Sequence, residues 1–79
     1  RIVTFQILLK DDPGILSGAL NVLAGTRVNI LTINQNIPVN GCAVVTITAE
    51  TSALQDSLED VLNSLSAGEG VIRCEILAG

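Results

Sequence analysis

Few side chains in this 79-residue sequence can do chemistry. It has no histidine, tyrosine or tryptophan, and neither of its two cysteines, Cys42 and Cys74, has a base nearby in the sequence. Proton transfer needs a positioned acid or base, and a Ser or Cys nucleophile needs an activating partner. No catalytic residue is therefore assigned. Two cysteines without a Cys-x-x-Cys pair or a histidine also fail the ligand pattern of a zinc site and of a disulfide framework, so no metal and no cofactor are expected. Cys42 and Cys74 read as small apolar residues. The stripe Asp56, Glu59 and Asp60 reads as the solvated face of a helix.

One segment has a more specific reading, Asp11-Asp12-Pro13-Gly14-Ile15-Leu16. It ends an alternating apolar stretch and opens a helical one. The first N–H groups of a helix have no partner within it, and the helix dipole favours an anion there. Gly14 carries no side chain to block approach. A carboxylate could dock on the N–H groups of Gly14 to Leu16, and Asp11 could accept hydrogen bonds from an ammonium. A free α-amino acid presents both groups at that separation. On spacing alone the plainer reading is the commoner one: Asp12 as N-cap, Pro13 at the first helical position, and nothing more.

The elements that must position this segment follow from periodicity. Val3, Phe5, Ile7 and Leu9 alternate with Thr4 and Gln6, which predicts a strand with one buried face. Leu16, Ala19, Leu20 and Leu23 recur at helical spacing, and Gly25 is expected to end that helix in the left-handed conformation. A second strand is predicted over residues 28–37 and a third over Cys42 to Glu50, joined by a turn at Pro38-Val39-Asn40-Gly41. A two-residue Asn-Gly loop would bring Asn34 and Asn36 beside Ile47 and Val45. A three-residue loop, Val39-Asn40-Gly41, with a type I turn and Gly41 left-handed, instead aligns Ile33 with Ile47 and Leu31 with Ala49. That register is the one expected, although it leaves Gln35 on the apolar face. Ser52 and Gln55 form a capping-box pattern ahead of a helix marked by Leu54, Leu58, Val61, Leu62 and Leu65. Val71 to Leu77 is a last strand, with Ile72, Cys74 and Ile76 inward.

The order is βαββαβ. Two right-handed strand–helix–strand units joined by a hairpin close most economically as an α+β ferredoxin-like plait, a four-stranded antiparallel sheet with two helices on one face. Strands one and three are then central. The other face carries Thr4, Gln6, Thr32, Asn34, Thr46, Thr48, Arg73 and Glu75. A single domain is all this length allows, and small domains lean on staples or partner chains. The second strand has no Lys, Arg or Pro until Pro38, an edge that invites another strand. A homodimer through residues 28–37 is expected. Hydrophobic residues make up 48% of the chain and charged residues 15%, which excludes disorder. No apolar run approaches the ~20 residues a membrane span needs. A net charge of −4 and one aromatic, Phe5, exclude nucleic-acid binding by this segment.

The strand, then Asp11-x-Pro13-Gly14-x-Leu16, a helix, and Val28-Asn29-Ile30 opening the second strand together resemble the ACT domain. The run Asn29 to Gln35, followed by Ile37-Pro38-Val39-Asn40-Gly41, is similar to the C-terminal ACT domain of small bacterial PheB-like proteins. The resemblance implies a regulatory module that binds a small amino acid, with a link to aromatic amino-acid biosynthesis. It implies paired domains joined through second strands, with the effector at the seam. Asp11, Asp12, Pro13, Gly14, Ile15 and Leu16 then form the ligand loop, and Asn29 and Ile30 come from the other copy. Many amino-acid-binding members carry Asn where this chain has Asp11. The Glu-Ser-Arg-Pro motif of phenylalanine-sensing prephenate dehydratases is absent. Some relatives of this kind are described as chorismate mutases. That reaction needs converging cations, and Arg1, Lys10, Arg27 and Arg73 fall in separate elements. A dimerisation module without a ligand is the third reading. The chain is expected to be a cytoplasmic fragment, with a preceding region of helix-turn-helix character implied by the resemblance.

Overall fold

A computed structural model describes all residues from Arg1 to Gly79. Six elements follow one another: β1 (Ile2–Lys10), α1 (Ile15–Gly25), β2 (Asn29–Gln35), β3 (Cys42–Glu50), α2 (Leu58–Ser66) and β4 (Val71–Ala78). The strands form one antiparallel sheet in the order β2-β3-β1-β4, the plait expected from the periodicity. No helix is long and apolar enough to cross a membrane.

The alternation in the two central strands decides which face is covered. Val3, Phe5, Ile7 and Leu9 of β1 pair with Ala49, Ile47, Val45 and Ala43 of β3, and all eight are buried. The helices close over this face with Ile15, Ala19 and Leu23 of α1 and Val61 and Leu65 of α2. On the open face Thr4 lies opposite Thr48, their hydroxyls 3.4 Å apart, and Gln6 lies between Thr46 and Glu75.

The helix ends differ from expectation, and in each case the backbone shows why. Asp12 is not the N-cap of α1, nor Pro13 its first residue. Gly14 is the cap, at φ +84°, with no side-chain capping bond. The helix therefore starts at Ile15, and its buried row runs Ile15, Ala19, Leu23, with Leu16 and Leu20 half-buried beside it. Gly25 remains helical, and the left-handed residue after the helix is Arg27, at φ +69°. Thr26 closes this end by donating its buried hydroxyl to Leu23 O at 2.6 Å. The Ser52–Gln55 capping box does not form. Ser52 gives its N–H and hydroxyl to the Glu50 carboxylate, each at 2.7 Å, and Ser57 caps α2 by accepting from Asp60 N at 3.1 Å. Leu54 precedes the helix yet still packs on the core.

The β2–β3 register is the expected one in its middle, with Ile33 opposite Ile47 and Gln35 opposite Val45. The turn that produces it is different. Asn40 and Gly41 both have positive φ, +54° and +75°, and Val39 pairs with Cys42, so the tip is a two-residue turn of the hairpin type. One residue is absorbed in the irregular stretch before Val39, and β2 stops at Gln35 rather than continuing to residue 37. A bulge between Ile30 and Thr32 sets Ile30, not Leu31, opposite Ala49. Gln35 creates no burial conflict because the whole edge from Leu31 to Asn40 is exposed. In β4 a bulge pairs Val71 with Leu9, so Val71 packs inward and Ile72 is half-exposed. Cys42 and Cys74 sit on strands that are not neighbours, as expected, and both are free thiols.

Candidate functional site

The Asp11–Leu16 loop leaves the end of a central strand and is tied down on both sides. Lys10 N donates to Gly70 O at 2.8 Å, and Asp11 N donates to Gly41 O at 2.9 Å. The loop that precedes β4 and the tip of the β2–β3 hairpin thus hold it in place. The third anchor is apolar. Ile15 is buried, and Gly70, at φ +76°, lies so close that a Cβ there would meet Ile15 Cδ1 at 2.5 Å. Neither Gly70 nor Gly41 was picked out from the sequence as part of this segment. Their part depends on strand pairing, which spacing does not reveal.

Between these anchors Asp11, Asp12, Pro13 and Gly14 are exposed. Ile15 N donates to Asp12 O at 3.3 Å, and Gly18 N donates to Gly14 O. The N–H groups of Gly14, Leu16 and Ser17 make no hydrogen bond within the chain. The expected docking row of Gly14 to Leu16 is therefore corrected: Ile15 contributes neither its N–H nor its side chain to the surface, and Ser17 is the residue that was missed. A Cβ on Gly14 would meet nothing within 4 Å, so its contribution is conformational rather than steric.

Asn29 and Ile30 lie elsewhere. Lys10 pairs with Cys42 and Asn29 with Glu50, the two ends of β3. Eight strand steps separate those ends, about 27 Å. Within one chain Asn29 and Asp11 do not meet. Asn29 is exposed, while Ile30 is half-buried and packs against the core.

The charges are sparse. The one ion pair joins the amino terminus to Glu50 at 2.6 Å. That bond, followed by those from Ser52, holds the Glu50 carboxyl down at about 2. Asp11 and Asp12 have no cation beside them. Arg1, Lys10, Arg27 and Arg73 are spread over the chain start, the end of β1, the α1–β2 loop and the open face of β4. Burial, with a smaller contribution from Glu75, pushes the Cys74 thiol up to about 11, which suits an unreactive packing residue. No group of side chains is arranged to hold a metal ion.

No family model matches the chain. Among curated proteins, the UPF0735 ACT domain-containing protein of Acetivibrio thermocellus is 47% identical over 78 residues, covering 99% of this chain and 53% of the relative. That of Caldicellulosiruptor saccharolyticus is 46% identical over 77 residues, covering 98% of this chain and 51% of the relative. The chain spans about half the length of these curated relatives. Among solved structures, the ACT domain of the GTP pyrophosphokinase of Chlorobium tepidum superposes with a TM-score of 0.76 at 20% identity over 96% of both chains. The C-terminal domain of MgtC from Mycobacterium tuberculosis reaches 0.71 at 14% identity, covering 99% of this chain and 86% of that one. The relatives match this chain almost from end to end, and the fold of the matched half is the one their description names. The chain has the fold of the ACT domain and is similar to about half the length of UPF0735 ACT domain-containing proteins.

Proposed function

We propose that the chain is a regulatory module that binds a small amino acid at the seam of a homodimer formed through β2. The resemblance to ACT domains, which the description of the curated relatives shares, supports a regulatory, small-molecule-binding role. The observation that carries the reading is the start of α1, where the N–H groups of Gly14, Leu16 and Ser17 make no hydrogen bond within the chain and the exposed Asp11 lies three residues before Gly14. This combination suits an α-carboxylate and an α-ammonium. The seam is supported by β2, whose outer backbone edge is unpaired and whose Leu31 and Ile33 are 47% and 43% exposed. Antiparallel pairing of β2 with its copy carries the partner's Asn29 towards the hairpin end of the sheet, where Asp11 lies. The PheB-like resemblance of residues 29–41 makes an aromatic amino acid the first ligand to try.

The test is titration calorimetry of the chain with each of the twenty amino acids, alongside sedimentation equilibrium. Binding of at least one amino acid at micromolar to millimolar concentration, with two sites per dimer, is the expected result. A dimer that binds none of them at millimolar concentration leaves the dimerisation module without a ligand. A monomer at all concentrations removes the seam.

A further inference from the structure

Arg27 occupies a conformation that its side chain makes expensive. It sits at φ +69° between α1 and β2, where glycine is the unstrained choice. Its side chain is exposed and has no carboxylate partner in its own chain. Asp11 and Asp12 are exposed and equally unpartnered. Within one chain these charges are at opposite ends of the sheet, because Arg27 precedes Asn29 and Asp11 follows Lys10.

A second copy changes that arrangement. Antiparallel pairing that engages all of β2 places Asn29 opposite the partner's Gln35, with the two-fold axis at Thr32. Arg27 of one copy then lies within about one residue of the level of Ile37 in the other. That is the hairpin end, where Asp11 N is bonded to Gly41 O. Three strand spacings, about 14 Å, separate the partner's β2 from β1. An extended arginine and an aspartate facing each other fill most of that gap, and the Asp11 N–Gly41 O bond draws the loop from β1 towards the hairpin.

We propose that Arg27 of one copy supplies the positive charge at the Asp11–Asp12 loop of the other, across the β2 seam. This rests on the dimeric reading above and adds a residue to it. The guanidinium offsets two carboxylates that would otherwise repel an effector's carboxylate, and it presents a planar fork of donors to that group. The strained backbone is tolerated for the sake of a side chain that acts on the other copy.

The test measures dimer dissociation by sedimentation equilibrium at low and high salt. In Arg27→Gly the strain is relieved and the charge removed, so the variant is expected to unfold later yet dimerise about tenfold more weakly, two exposed pairs being lost per dimer. A merely structural residue would not move the two readouts in opposite directions. Arg27→Glu is expected to weaken the dimer further, and combining it with Asp11→Lys and Asp12→Lys to restore most of the loss at low salt and little of it at high salt. An Arg27→Gly dimer as tight as the parent, or a triple variant no tighter than Arg27→Glu, overturns the proposal while leaving the seam standing. A parent chain that stays monomeric overturns both.

Discussion

Gly70→Ala tests the anchoring of the Asp11–Leu16 loop. An added Cβ would stand 2.5 Å from Ile15 Cδ1, 2.9 Å from Cγ2 and 3.0 Å from Cγ1, so three atoms of one buried side chain are in the way. Ile15 is β-branched and helical, with little rotamer freedom to retreat. Overpacking of this kind costs about 1–3 kcal/mol, and alanine at φ +76° adds roughly 1–2 kcal/mol. A total of about 3 kcal/mol is a large share of the roughly 4–12 kcal/mol expected for a domain of this length. With no Trp or Tyr to report, far-ultraviolet circular dichroism in a urea titration is the assay. The discriminating step repeats the substitution in an Ile15→Ala background, where the clash is gone and only the backbone penalty of about 1–2 kcal/mol remains. An equal cost in both backgrounds refutes the steric account, and a cost below about 1 kcal/mol in the parent refutes the whole argument.

The remaining expectations are simpler. Ser57→Ala removes the acceptor for Asp60 N and should destabilise the chain by about 1 kcal/mol in the same assay, whereas Gln55→Ala should leave stability unchanged because no capping box forms. Glu50 has a folded-state value lowered from 4.5 to about 2, so its stabilising effect is complete above the unfolded value and is lost as pH falls from there through about 2. Glu50→Gln should flatten that part of the acid stability curve. Cys74, raised to about 11, should resist iodoacetamide at pH 8 in the folded chain and react once urea unfolds it, as followed by mass spectrometry.

Period-two alternation with helical stripes is enough to read the plait, because the two central strands and both helices bury a single face. The hairpin register is legible because only one of the two candidate loops sets Ile33, rather than Asn34, opposite Ile47. The turn that delivers it is not. Loop length alone points to three residues, while the chain uses a two-residue tip and absorbs the odd residue in the irregular stretch before Val39. The Ser52–Gln55 pattern misleads because the Glu50 carboxylate two residues away takes the N–H and hydroxyl of Ser52, and the cap passes to Ser57, which the pattern does not single out. For the Asp11–Leu16 loop, the exposed run from Asp11 to Gly14 is readable. The inward turn of Ile15 is not, since it follows from the left-handed cap at Gly14 shifting the helix start by two residues.

The placement of Asp11 and Asn29 at opposite ends of the sheet has a kinetic corollary. On the dimeric reading proposed above, Asp11 and Asn29 meet only across two molecules, so any response drawing on both groups is second order in the protein itself. Diluting it silences such a response without altering a single residue, and saturating effector restores it by mass action. The cellular abundance of the chain would therefore set its threshold as firmly as the affinity of the site.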